Sequence, residues 1–265
     1  MIKLFVTDID GTLLSAGSGT VPAKNIEAVQ AMTRAGVKVA IATGRMYRAA
    51  LPIANQLGVP VPIIAYNGAL IKSSAGEIIH THYMDEAIVI ELIKFFEDSG
   101  LYVQLYSGDI LYVPERNFYV EFYEKSQKVK AVEVGWNGMR NHAKDVSKLL
   151  SISDKPDELS DSMNAISKNF SAQVEVTRSH PMFAELTASG VTKAGAIKIL
   201  AEEFGIDNEE ILAIGDSEND LAMLTSVGCG VAMGNAVDTV KAACTRITDT
   251  CENYGFAKAV YDYVL

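Results

Sequence analysis

The sequence predicts an α/β protein, a core of parallel strands and helices interrupted by an inserted α+β module. Three observations predict it. Short apolar runs alternate with amphipathic helical patterns at both ends of the 265-residue chain, the rhythm of strands joined by crossover helices. That rhythm changes near His82 and returns after Gly190. Three of the apolar runs stop at polar signatures instead of ordinary turns: Asp8 with Asp10, Thr43-Gly44-Arg45, and Gly215-Asp216-Ser217-Glu218-Asn219-Asp220.

The first run, Ile2, Leu4, Phe5 and Val6, is short and rich in strand formers, and Gly11 closes it. Residues 14–20 are small, include two glycines and read as a loop. Pro22 suits the first turn of a helix with an apolar face of Ile26, Val29 and Met32, which Gly36 ends. Residues 37–42 form a second buried strand, and the helix after it meets Pro52, which kinks or breaks it before Gly58. Residues 63–66 give a third strand closed by Asn67-Gly68, and 69–72 with 77–80 a hairpin.

Inside the insertion, 85–98 is a strongly amphipathic helix (Ile88, Leu92, Phe95, Phe96). A hairpin over 102–106 and 110–113 turns at Gly108-Asp109, and an aromatic-rich helix follows around Phe118, Tyr119, Phe122 and Tyr123. Trp136-Asn137-Gly138 reads as an aromatic on a turn. A strand over 146–152, a helix over 156–170 and strands over 173–177 and 183–186 complete an antiparallel α+β module. The alternation then resumes: helix 192–204 stopped by Gly205, strand 211–214, helix 217–227, strand 230–233, helix 236–244, strand 246–248 and helix 256–264. The expected organisation is a discontinuous core of residues 1–81 and 186–265 with a module over 82–185.

Composition narrows the function classes. Hydrophobic residues make up 49% of the chain and mean hydropathy is +0.14, values of a well-packed protein. No apolar run approaches the roughly 18 residues of a membrane span. The N-terminus enters a strand at once, leaving no room for a signal peptide, and the three cysteines (Cys229, Cys244, Cys251) cannot all pair within the chain. These features point to a reduced, cytoplasmic setting. A formal net charge of −10 argues against nucleic acid or an anionic membrane as partner. It also requires that any phosphate site be built from local cations.

The polar signatures form a chemically complete set. Parallel sheets place their sites outside the carboxyl ends of the strands, where Asp8/Asp10, Thr43-Gly44-Arg45 and Asp216 all fall, and Lys193 opens the first core helix after the insertion. In an extended chain Asp8 and Asp10 point the same way, and two like charges that close repel unless a cation lies between them or one stays protonated. Asp8, the backbone carbonyl of Asp10, and Asp216 are the hard oxygen donors that a divalent cation takes. Asp8 is placed to attack phosphorus as a covalent nucleophile, and Asp10 to protonate the leaving oxygen and then to deprotonate water. Thr43 and Gly44 offer a hydroxyl and backbone N–H groups to phosphoryl oxygens at a helix start, and Lys193 a point charge. Arg45 either reaches the substrate or ties the core to the insertion.

These stretches, taken in order with Asp8-Ile9-Asp10-Gly11-Thr12-Leu13-Leu14 first, resemble the four motifs of the haloacid dehalogenase superfamily. Ala65-Tyr66-Asn67-Gly68-Ala69, Val231-Ala232-Met233-Gly234-Asn235-Ala236 and Ile247-Thr248-Asp249-Thr250 resemble its Cof-type branch, subfamily IIB, with a large α/β cap. The resemblance implies a Rossmann-like core with a cap that selects substrate, and a magnesium-dependent phosphatase of small phosphorylated metabolites. It implies a metal held by Asp8, Asp10 and Asp216, phosphate contacts from Thr43, Gly44, Arg45, Lys193 and Asn219, and support from Asp220. The chain departs from the pattern in two places: Ala194 follows the lysine where glycine is usual, and Asn253-Tyr254 replaces an acidic pair. A phosphomutase shares this chemistry. A signalling receiver also phosphorylates an aspartate, but needs an open face that a large insertion does not suit.

Overall fold

The computed structural model describes residues 1–265, which form two compact units, 1–81 with 192–265 and 82–191. In the first, β1 (Leu4–Thr7), α1 (Ala23–Arg34), β2 (Lys38–Ala42), α2 (Tyr47–Gln56) and β3 (Ile63–Ala65) alternate as expected. β4 (Leu70–Lys72) and β5 (Ile78–Thr81) form the hairpin, which extends the same sheet in antiparallel sense. The second unit contains α3 (Glu86–Ser99), β6 (Val103–Ser107), β7 (Ile110–Val113), α4 (Phe118–Gln127), β8 (Ala131–Glu133), α5 (Gly135–Asn141), β9 (Val146–Ile152), α6 (Pro156–Phe170), β10 (Val174–His180) and β11 (Phe183–Ala188). The first unit then resumes with α7 (Lys193–Phe204), β12 (Ile211–Gly215), α8 (Leu221–Ser226), β13 (Cys229–Ala232), α9 (Asp238–Ala243), β14 (Arg246–Ile247) and α10 (Gly255–Tyr263).

The first unit's sheet runs β14-β13-β12-β1-β2-β3-β4-β5, parallel through β3. All four residues of β1 and all five of β12 are buried, as befits central strands covered by helices on both faces. Phe256 of α10 meets Phe5 edge-on at 5.4 Å, with α1 beside α10, while α7 and α8 pack together. No helix is long and apolar enough to cross a membrane.

The second unit has a six-stranded sheet ordered β10-β11-β9-β6-β7-β8. Three expectations change here. Residues 186–191 belong to this unit, because β11 runs on to Ala188 and pairs with both β9 and β10. Trp136 lies in the short helix α5, anchored by buried Met139, and not on a turn. β8 pairs parallel with β7 in an otherwise antiparallel sheet. In the first unit the helix expected over 217–227 is instead a tight turn at Glu218–Asp220 followed by α8. The Asp220 carboxylate causes this by accepting from the backbone N–H groups of Asp216 and Ser217.

Candidate active site

β1 lies between β2 and β12, with Thr7 level with Ile41 on one side and Ile214 on the other. The chain builds outward from β1 through β2 and β3 in one direction and from β12 through β13 and β14 in the other. The carboxyl end of β1 is therefore the switch point where such sheets place their ligands. Asp8 N–H still donates to Ile214 O at 3.1 Å, so Asp8 leaves the sheet beside Gly215 and Asp216. The backbone then bends sharply. Gly11 has φ +82°, and a Cβ there would fall 2.5 Å from Asp216 Oδ2, so glycine is needed both for the turn and for the close approach.

Lys193 Nζ donates to Asp8 Oδ1 at 2.7 Å and to Asp220 Oδ1 at 2.6 Å. The lysine and Asp220 are fully buried, and Asp8 nearly so. Lys193 is the first residue of α7, behind the Thr192 N-cap, where the helix dipole disfavours a cation. Burial also opposes its charge, yet Asp220 and Asp8 outweigh that and hold it above an ordinary lysine. Asp8 itself is pushed well up, chiefly by burial, against the pull of Lys193 and with the push of Asp220, Asp216 and Asp10.

Carboxylate oxygens of Asp8, Asp216 and Asp220 come within 4.8 Å of one another. Asp220 spends Oδ1 on Lys193 and Oδ2 on the Asp216 and Ser217 N–H groups. Asp8 Oδ2 receives no hydrogen bond, and Asp216 takes only hydroxyl donors, Thr12 Oγ at 2.6 Å and Ser217 Oγ at 3.2 Å. Burial, followed by the Asp220 charge, pushes Asp216 up to about 7. Three carboxylates facing one ammonium in a mostly buried site fit a hard divalent cation, whose ligands are oxygens and whose charge would balance theirs.

The second strand end is organised by the third. Thr43 O accepts from Asn67 N and Arg45 O from Tyr66 N, both at 3.0 Å, while Arg45 N donates to Thr43 Oγ at 3.2 Å. Tyr66 and Asn67 hold φ of +52° and +56° to make those bonds. Asn219 Nδ2 donates to Asn67 Oδ1 at 3.1 Å, which links the strand ends across the site.

The sequence-predicted residues therefore divide. Asp8, Asp216, Asp220 and Lys193 converge. Thr43 is buried at its strand end, but α2 begins only at Tyr47, so Thr43 and Gly44 do not sit at a helix start. β1 ends at Thr7, so strand alternation does not aim Asp8 and Asp10, and the Asp10 carboxylate meets Arg45, whose Nε and Nη2 reach its two oxygens at 2.6 and 2.5 Å. Asn219, expected as a phosphate contact, donates its Nδ2 to Asn67. Sequence reasoning gave no role to Thr12, Asn67 or Asn235. Asn235 Nδ2 donates to Gly11 O and its Oδ1 accepts from Cys251 N, both at 2.8 Å, which pins the Asp10–Gly11 turn. All three lie in stretches that resemble family motifs, and that was their only signal.

Residues 5–260 match the family model described as haloacid dehalogenase-like hydrolase. YxeH of Bacillus subtilis (strain 168) is 32% identical over all of this chain and 99% of its own length. YcsE of the same organism, a 5-amino-6-(5-phospho-D-ribitylamino)uracil phosphatase, is 30% identical over all of this chain and 96% of its own. Among solved structures, the subclass IIB sugar phosphatase BT4131 superposes with a TM-score of 0.87 at 28% identity, covering 98% of both chains.

Proposed function

The chain belongs to the haloacid dehalogenase-like hydrolases and is an enzyme of the phosphatase kind, and on that premise we propose a magnesium-dependent hydrolase of sugar or polyol phosphate monoesters working through an aspartyl-phosphate on Asp8. One observation carries the reading. A nearly buried carboxylate at the switch point of the sheet has one oxygen on a buried ammonium and the other without a hydrogen bond, and it comes within 4.8 Å of the Asp216 carboxylate.

Asp8 attacks phosphorus, the bond from phosphorus to the leaving oxygen breaks, and Asp10 gives that oxygen a proton. Water then attacks the phosphorus of the aspartyl-phosphate, Asp10 takes its proton, and inorganic phosphate leaves with Asp8 restored. Lys193, kept charged by Asp220, faces the charge that gathers on the phosphoryl oxygens. Thr43 and Gly44 orient those oxygens. Asp8, Asp216 and the backbone carbonyl of Asp10 would hold Mg2+. That ion supplies positive charge to the phosphoryl group and relieves the repulsion among the carboxylates. The unit over 82–191 selects the leaving group. The sugar or polyol class is supported by the names of the relatives YcsE and BT4131.

Incubation of the purified protein with a panel of small phosphate esters and magnesium tests this. Free inorganic phosphate is expected from sugar or polyol phosphates, lost on chelation and in Asp8→Asn. An isomerised sugar phosphate without free phosphate would make the protein a mutase. A long-lived phosphoprotein with negligible turnover would make it a receiver.

A further inference from the structure

Arg45 was expected among the phosphate contacts, and its geometry says otherwise. Its Nε and Nη2 form the side-on fork that matches a carboxylate, and both partners are oxygens of Asp10. These two bonds are the only hydrogen bonds the Asp10 carboxylate receives. Arg45 is 7% exposed and Asp10 33%, so the anchored member of the pair is the arginine. Its backbone is fixed on both sides, by N–H to Thr43 Oγ and by C=O from Tyr66 N. Asp10, by contrast, lies past the end of β1, where strand alternation no longer aims its side chain.

We infer that Arg45 is a positioning residue for Asp10 and not a phosphate ligand. An aspartate with no partner spreads over its staggered rotamers. The fork selects one of them, and a guanidinium does so more rigidly than an ammonium could. A consequence follows for the whole site. With Arg45 committed to Asp10 and Lys193 to Asp8 and Asp220, both basic side chains at the strand ends are already paired. Arg45 is thereby withdrawn from an incoming phosphate, whose oxygens are left to Lys193, the backbone N–H groups and the divalent cation.

This inference rests on the phosphatase reading for the role of Asp10, and a double-mutant cycle separates the two. Arg45→Ala, Asp10→Ala and the double variant are compared with an aryl phosphate as substrate, and inorganic phosphate binding to each is measured by calorimetry. Arg45→Ala is expected to lower kcat about 10²-fold, the scale of a misplaced reacting group, and to leave phosphate affinity within about twofold, since no phosphate contact is removed. In the Asp10→Ala background the same change should add almost nothing to the loss of kcat, because Arg45 acts only through Asp10. Free guanidinium should raise kcat of Arg45→Ala, and Arg45→Lys should remain impaired. Additive losses would show a role independent of Asp10 and overturn the inference, as would phosphate binding weakened about tenfold with kcat retained. Turnover that survives Asp8→Asn would instead remove the aspartyl-phosphate reading, with the Arg45–Asp10 coupling still measured by the cycle.

Discussion

Lys193 shows most plainly what single residues do here. A buried cation at a helix start is unfavourable on both counts, and two carboxylates at 2.6 and 2.7 Å hold it there. Lys193→Met should leave Asp8 and Asp220 without their cation and destabilise the protein by about 3–5 kcal/mol, the scale for breaking a buried pair from one side. Urea unfolding measures it, and an unchanged midpoint would show that the pairs contribute nothing. Asp8, Lys193, Asp216 and Asp220 were legible from the sequence because motif order and strand-end position suffice to bring them together. The partners of Arg45 and Asn219 were not legible. They depend on how side chains cross between strand ends, and on a turn after Thr7 that ends the alternation rule. Thr12 was equally hidden: its hydroxyl reaches Asp216 from 204 residues away in sequence.

At the scale of elements, the site is held by turns more than by strands. Gly11→Ala would put a methyl group against Asp216 Oδ2 and strain a left-handed φ, at about 1–2 kcal/mol for the backbone alone. The expected result is magnesium affinity reduced about tenfold or more with a folded protein, read by calorimetry. Wild-type affinity would mean the turn does not shape the ion's ligands. In the inserted unit, Glu124 of α4 accepts from Arg116, Lys130 and the Ala131 N–H, tying α4 to β8. Arg116 first, with Ala131 and Lys130 helping, holds its carboxyl down to about 2. A folded value below the unfolded one of about 4.3 gives stability that is present above pH 4.3 and lost as pH falls toward 2. Glu124→Gln should flatten the acid side of the stability profile in that window, and an unchanged slope would contradict the assignment. β8 and α5 escaped the sequence reading for a related reason. β8 is three residues long and mostly exposed, so it has no apolar run to betray it, and two glycines made α5 look like a turn.

Across the whole molecule, an acidic chain hydrolyses an anionic substrate only if positive charge is concentrated where the carboxylates meet. Net charge alone raises that requirement, and the rhythm of apolar runs made the discontinuous core legible. The six-residue error at the second boundary arose because the strand read as ending at Leu186 runs on to Ala188, paired with β10, before the chain re-enters the core. A cation bound by the folded state alone stabilises it by mass action, about 2.7 kcal/mol at a hundredfold excess over Kd. Magnesium should therefore raise the thermal midpoint of the wild type and not that of Asp216→Asn. An equal rise in both would place the ion elsewhere.

On the proposed mechanism phosphorus becomes bonded to Asp8 during turnover. Rapid mixing with a radiolabelled phosphate ester and magnesium, acid quenching within the first turnover, and mapping of the label on the denatured chain test it directly. The label should appear before the steady state as a base-labile adduct on the peptide that carries Asp8, and be absent from Asp8→Asn. Free phosphate released in the first turnover with no labelled protein at any time, or label on another residue, would contradict it.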